Sequence, residues 1–549
     1  MAANNPLGAK VLQTFGLVKS GRQIWDGNYQ DIKELVRPDG GNFNRVTTPG
    51  QRRFDNIYDG TAITACEDFA GGLHAYLSSP TERWFELTIP SFKDIQNYPE
   101  VLAWLEMVSD KIYDVYADSR SGFNSALHEL YLDLGAFGTG VLFQEWNDAA
   151  QHIYFRNHAL GEFYFQENAV GVVDSIFHYF DFTARQIMME YEKDDMLAGT
   201  DLWKQVCAPE NALKTFKLVR HISPNANRVY GKLDSANKTI SSVTVCESTQ
   251  DVLRISGYDM FPAAVTRWVK IGGETYGRGP ASTCIPDIMA LQTMERTLLK
   301  AGQKAVDPPV VIPNDGFMEP ISMAPGSIIY KEPGAEKIES FEFKGNLQFG
   351  VEQCTQKREY IKTCFHSDWF KRFHKTREQS ATEVTDDRDE MLRMLSPMLG
   401  RQQGELLGPT IKRTYQLLHE HGLIDPAPGI IAKQKLGIAY ISPAARAQQG
   451  VKADRMSRFM QDILPLAQND PTVLDAVDTD NMLQVYATTR GVPRSILRNV
   501  KDIAAMRANR AKQQQAQQAA QTAEPASKSV LNLAQAQQAN GGGAPGGPI

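Results

Sequence analysis

The chain has 549 residues and six cysteines, Cys66, Cys207, Cys246, Cys284, Cys354 and Cys364, none of them in a C-x-x-C pair. Neither a zinc cage nor a redox dithiol is therefore signalled, and buried free thiols are expected. No run approaches the about 18 uninterrupted apolar residues that a membrane helix needs. The opening Met-Ala-Ala-Asn-Asn-Pro lacks the basic start and apolar core of a secretory signal. A chain made and kept in a cytosol, with no membrane partner, is the expectation. Positive charge is not in excess either: 58 Lys and Arg against 64 Asp and Glu give a net charge of -6. Proteins that grip duplex DNA by neutralising its phosphates usually carry a basic excess. Tight DNA binding is thus disfavoured, whereas DNA passing through an acidic bore without sticking is compatible with this balance, as is ordinary solubility.

Catalytic signatures are missing as well. There is no G-x-S-x-G or H-E-x-x-H, and His366 and His374 lack helical ligand spacing. The stretch Gly272-Gly273-Glu274-Thr275-Tyr276-Gly277-Arg278-Gly279 lies between a predicted strand and a helix, the setting of a phosphate-binding loop. That loop needs Lys and then Ser or Thr, where Arg278 and Gly279 stand, so a turn leading into a helix is expected instead. Glu383, Asp386, Asp387, Asp389 and Glu390 are interleaved with Arg388 and Arg393. This is the pattern of a charged helix face, solvated or set between subunits, with Glu383, Asp387, Arg388 and Arg393 as the candidate interface residues. The expectation is no enzyme, no metal and no cofactor.

What is present is a globular composition, 42% hydrophobic and 22% charged, on a chain long enough for several sub-domains. Apolar steps of three and four predict helices over 17–37, 52–79 and about 101–116, the second from Phe54, Ile57 and Tyr58 to Leu77. Arg83 to Leu87, bracketed by Pro80 and Pro90, reads as a short strand. From about residue 140 short β-favouring runs take over: Val141-Leu142-Phe143, Ile153-Tyr154-Phe155, Phe163-Tyr164-Phe165, Val243-Thr244-Val245 and Val265 to Val269. A helix over 183–195 interrupts them. Helices are predicted again from Ser282 to the Pro308-Pro309 pair and over 346–365, flanking a Gly- and Pro-broken strand-and-turn insert. Ser380-Ala381-Thr382-Glu383 has capping-box form and starts a helix that runs to Gly422 with Pro397 and Pro409 inside it, predicting kinks. Further helices are expected near 443–467 and 472–489, and the Ala/Gln-rich 495–540 is read as a peripheral helix or a disordered tail. Between two helices lies Lys371-Arg372-Phe373-His374-Lys375-Thr376-Arg377, a basic cluster in an otherwise acidic chain. It is either a solvated loop or one that faces phosphates.

Several stretches carry a resemblance. They are Gly60-Thr61-Ala62, Phe69-Ala70-Gly71-Gly72-Leu73-His74, Leu77-Ser78-Ser79-Pro80 with Arg83-Trp84-Phe85, Tyr276-Gly277-Arg278-Gly279-Pro280 with Pro286-Asp287, Ala381-Thr382-Glu383-Val384, Leu399-Gly400-Arg401 and Glu405-Leu406-Leu407. In these the sequence resembles the T7-like head-to-tail connector (portal) family of short-tailed bacteriophages. The resemblance implies a helix-rich α+β fold with the portal architecture of wing, stem, clip, tunnel loop, long kinked helix, helical crown and possible barrel. By that analogy residues 1–281 build the wing, 282–304 and 346–365 the stem, 305–345 the clip and 366–379 the tunnel loop. Residues 380–422 become the kinked helix, 423–494 the crown, and 495–549 a barrel helix or disordered tail.

The implied function is a homododecameric ring at one capsid vertex of the virion, assembled in the host cytoplasm, through which double-stranded phage DNA is packaged and ejected. Its implied partners are terminase, the tail adaptor and tail proteins, the major capsid and scaffolding proteins, and internal core proteins. Lys371, Arg372, Lys375 and Arg377 would be the DNA-facing residues of the tunnel loop, in transient and sequence-independent contact. Another structural head-tail adaptor is the alternative, and a DNA-packaging ATPase or nuclease is a reading of a different class.

Overall fold

The structure is a computed structural model. It describes residues 6–48, 50–90, 98–192, 196–229, 231–232, 234–306, 310–311, 339–340, 347–367, 394, 396–431 and 434–441, with helical stretches at 457–459, 461–463, 465, 482–483, 503, 506–515 and 535. The chain divides into two compact units, one of residues 1–88, 107–426 and 436–444 and the other of 89–106, 427–435 and 445–549. In the second unit a turn closes from the Ile431 amide to the Pro428 carbonyl at 2.9 Å.

The fold is α+β, as expected. It opens with α1 (Pro6–Leu35), α2 (Thr61–Leu77), β1 (Phe85–Thr88), α3 (Pro99–Ala117) and α4 (Phe123–Phe137). Two of these differ from the sequence prediction. Helix α1 starts eleven residues before the predicted 17, and α2 starts at Thr61 rather than 52. Phe54 and Tyr58, counted in the predicted stripe, are exposed. The break comes where Asp59 turns its carboxylate back to accept the Thr61 amide at 2.8 Å, a local bond that competes with helix at this point. Helix α4 was not foreseen. Leu127, Leu130, Tyr131 and Leu134 are all fully buried. With Phe123 and Phe137 they recur at three- and four-residue steps while Ser125 and Glu129 stay exposed, so the helical signal is present in the sequence.

Two antiparallel sheets follow. The first runs β3-β2-β9, formed by β2 (Thr139–Asn147), β3 (His152–Asn157) and a later strand. The second is a meander of β4 (Phe163–Glu167), β5 (Val173–Thr183), β6 (Thr215–Pro224), β7 (Ile240–Cys246) and β8 (Val252–Tyr258), after which β9 (Ala263–Arg267) returns to β2. Between β5 and β6 lie α5 (Ala184–Tyr191), opened by a Thr183–Gln186 capping box, and α6 (Asp201–Val206). Ile187, Tyr191, Leu202 and Val206 of these helices bury against Phe216, Leu218 and Leu253 of the sheet. Helix α1 covers another part of it, with the Phe15 ring edge-on to Tyr164 at 5.1 Å.

The chain then forms α7 (Pro280–Val306), a minimal pair of strands β10 (Val310–Val311) and β11 (Glu339–Ser340), α8 (Leu347–Cys364) and α9 (Gly408–Glu420). It returns in β12 (Gly437–Tyr440), which pairs antiparallel with β1, Phe85 opposite Tyr440. The predicted strand thus exists, and its partner comes from far along the chain. The six thiols are free. Cys66, Cys246, Cys284 and Cys354 are buried as expected, but Cys207 is exposed.

Three glycines fix how α4 meets the segment entering α7. Gly138 sits at φ +74 in the left-handed region. A Cβ there would stand 2.1 Å from the Gly279 nitrogen, one on Gly277 would stand 2.3 Å from the Gly138 carbonyl oxygen, and one on Gly279 would stand 2.6 Å from the Leu134 carbonyl oxygen. Backbone touches backbone here, so only glycine fits. Arg278, in the place of the phosphate-loop lysine, is bound to Glu274 at 2.6 Å and lies over the Trp25 ring at 4.9 Å. The segment is a turn into a helix, as expected.

Candidate functional site: a helix pair and its anchors

Helix α7 buries Ala281, Cys284, Ile288, Leu291 and Gln292 at three- and four-residue steps, so its first half seats on the body. From Thr293 to Val306 every residue is half-buried or exposed, and the same holds for Leu347 to Gln353 of α8. The distal halves lie against each other, close enough that a Cβ on Gly350 would come within 2.7 Å of the Leu298 side chain. They also present apolar side chains to solvent, including Val306 at 88% exposure and Phe349 at 60%. Two helices alone bury too little surface to cover such residues on their outer faces.

A polar node fixes the base of this pair. The Gln292 side chain accepts from the Tyr58 and Asp59 amides at 2.7 and 3.0 Å and donates to the Asp59 carbonyl at 2.7 Å. Arg358 of α8 donates to the Asp59 carboxylate at 2.7 Å and pairs with Glu295 of α7, while Lys357 pairs with Asp287. Burial works to raise the Asp59 pKa, but hydrogen bonds from Thr61 and Arg358 hold it below the usual carboxylate range. At the far end of α8, His366 takes φ +56 and ends the helix, and the buried Ser367 hydroxyl donates to Asp68 at 2.5 Å. The chain therefore enters the basic stretch from a fixed post.

A second anchor holds the long helix. Residues 396–402 are helical, Gln403–Leu407 widen into a π turn, and α9 continues. The π turn falls immediately before Pro409. Proline has no amide to give to the carbonyl four residues back, and its ring would press on it, so a widened turn relieves both. The Gly408 amide instead bonds to the Gln403 carbonyl. Glu405, in this turn, binds the Arg267 guanidinium at 2.7 Å, and Arg267 also pairs with Glu167. Gln402 accepts from Thr266 at 2.6 Å and donates to the Arg267 carbonyl at 3.0 Å, while Arg413 donates to the carbonyls of Gln144 and Met260.

The tunnel-loop candidates Lys371, Arg372, Lys375 and Arg377 and the interface candidates Glu383, Asp387, Arg388 and Arg393 lie outside the described residues, as does the capping box at Ser380. Some of the stretches behind the resemblance fall at the anchors: Gly60-Thr61 beside Asp59, Asp287 on Lys357, Gly277 to Gly279 against α4, and Glu405 on Arg267, whereas Ala381 to Val384 lies outside the described residues. Sequence reasoning missed Gln292, Glu295 and Arg358. The signal was there in the helical spacing of Gln292 and Glu295, but their partners at 58–59 and 358 are not deducible from spacing.

The profile of the family described as "Bacteriophage head to tail connecting protein" matches residues 9–497. The chain belongs to this family. A probable portal protein of Bordetella phage BPP-1 is 30% identical to this connector chain over 508 residues, 90% of each. The portal protein of Salmonella phage epsilon15 is 28% identical over 512 residues, 91% of the chain and 90% of the relative. Both matches take in α7, α8 and the anchored long helix of the connector.

Proposed function

We propose that the chain is the portal of a short-tailed phage: copies close into a ring at one capsid vertex, DNA passes through it during packaging and ejection, and terminase and the tail adaptor dock on it in turn. The observation that carries this is agreement with connector and portal relatives along nine-tenths of the chain. The protruding α7–α8 pair supports it, because a closed ring joins two unlike faces of each subunit and would cover the apolar residues left on the distal halves. The role is mechanical, without catalysis.

In this reading residues 1–281 form the wing, 282–304 and 346–365 the stem, 305–345 the clip, 366–379 the tunnel loop, 380–422 the kinked helix and 423–494 the crown, with 495–549 a barrel helix or a disordered tail. The ring is a dodecamer. Capsid, scaffolding, core and tail proteins are its further partners. Lys371, Arg372, Lys375 and Arg377 touch phosphates transiently, and Glu383, Asp387, Arg388 and Arg393 lie between subunits. A few basic groups on a loop can centre or brake DNA while an acidic bore keeps it from adhering.

The test is a phage complemented with the portal in which all four basic residues are neutralised. Genome packaging or retention should drop while particles still assemble. Unaltered packaging and retention would remove the loop from the mechanism.

A further inference from the structure

We propose that His158, Glu162 and His178 form a binding site for one divalent transition-metal ion of the zinc class, a structural tie between the two sheets of the first unit. His158 follows β3, Glu162 lies in the tight turn Leu160–Glu162, and His178 stands in β5. Their donor atoms all lie within 4.8 Å of one another. The Glu162 Oε2 is 3.5 Å from His178 Nε2 and 3.8 Å from His158 Nδ1.

These separations are too long for hydrogen bonds, which lie at about 2.7–3.2 Å. The shorter one is the spacing of two ligands that share a tetrahedral ion at about 2.0–2.1 Å, roughly 3.3–3.5 Å, and the wider pairs, none beyond 4.8 Å, would close onto the ion by side-chain rotation. His178 Nε2 is enclosed and has no hydrogen-bond partner. A buried polar atom left so is costly, by about 1–3 kcal/mol, unless something fills the gap. Two imidazole nitrogens and one carboxylate oxygen suit zinc, cobalt or nickel and do not suit magnesium or calcium, which prefer all-oxygen shells. Glu162 is 45% exposed, leaving an entry path and room for a water as fourth ligand.

The loop is held for this task. The buried Arg22 guanidinium donates to the carbonyls of Leu160 and Gly161 at 3.0 Å each and also to that of Phe163. Gly161 is fitted so closely that a Cβ would stand 2.0 Å from the Asn42 carbonyl oxygen. Both of its neighbours are thereby fixed, and Glu162 is set opposite His178 before any ion arrives. The His158–Glu162 spacing reads as nothing in the sequence because it spans a turn, not a helix, and the third ligand lies on the next strand but one.

The chain, stripped with a chelator and dialysed, should bind one zinc per subunit in calorimetric titration with zinc chloride. Cobalt chloride should give visible absorption of a low-coordinate nitrogen and oxygen site, and zinc should raise the melting temperature. Glu162→Gln and His158→Gln each remove one ligand near the surface, and each should weaken zinc binding by more than the roughly 10–100-fold that outer-shell losses cost. Circular dichroism of the metal-free variants should match that of the metal-free parent, which separates ligand loss from misfolding. Failure of the parent to bind zinc would overturn the proposal, as would variants that bind zinc as tightly as the parent. Neither bears on the ring.

Discussion

Arg22 illustrates how this fold handles buried charge. Its guanidinium is satisfied by Asp26 at 2.8 Å and by three backbone carbonyls, and it lies 3.8 Å over the Tyr164 ring. Each of the three guanidinium nitrogens has a partner, which a lysine could not match. His221 is treated in the opposite way and held away from its charged form. His221 stacks on Phe177 at 4.1 Å and bonds to the Ser175 hydroxyl at 3.0 Å, and burial pushes its pKa from 6.5 down to about 4. The folded state disfavours the proton that the unfolded chain accepts near pH 6.5. Stability from this group is therefore complete above that pH and is lost as pH falls towards 4, on the order of 3 kcal/mol. In chelator-containing buffer, His221→Gln should flatten the fall in melting temperature between pH 6.5 and 4. An unchanged slope would mean that His221 is not held neutral.

At the scale of elements, two glycines with similar close contacts should respond differently. Gly138→Ala forces a side chain onto φ +74 and into the Gly279 backbone, and neither can yield. A loss of roughly 3 kcal/mol or more is expected, read as a lower urea midpoint or insoluble protein. Gly350→Ala meets only the end of the Leu298 side chain, which can rotate, and it gains helix propensity worth about 1 kcal/mol. Its midpoint should stay within the error of the measurement or rise.

The same elements explain what could be read in advance. Helices α7 and α8 were legible because one face of each is buried and prolines end the first. Strands β2, β3, β4 and β7 announced themselves as apolar β-branched and aromatic runs. Strands β5, β6 and β8 did not: β6, Thr-Phe-Lys-Leu-Val-Arg-His-Ile-Ser-Pro, mixes in Lys217, Arg220 and His221. Those polar groups find partners on strands distant in sequence, His221 in Ser175 of the same sheet and Arg220 in Glu145 of the other sheet at 3.0 Å. The sequence marks Pro409 as a disturbance inside the helix, but not the π turn that precedes it and carries Glu405 to Arg267. The β1–β12 pairing and the Asp59–Arg358 node are long-range, and local pattern holds no trace of them.

For the whole molecule, the account requires that many copies meet. A charged residue on the apolar outer face of the helix pair should block that meeting without unfolding the subunit. Phe349→Asp is exposed enough to keep the monomer's circular dichroism, and in light scattering it should move the population from ring mass to subunit mass. Rings as abundant as in the parent would place this face outside the interface. The zinc tie at His158, Glu162 and His178 lies within one subunit and makes no demand on assembly, so the two proposals fail separately. The most direct measurement is negative-stain electron microscopy of the purified full chain under assembly conditions. End-on views should show closed rings of uniform subunit number with a central hole wide enough for duplex DNA, whereas particles with no such ring would contradict the account.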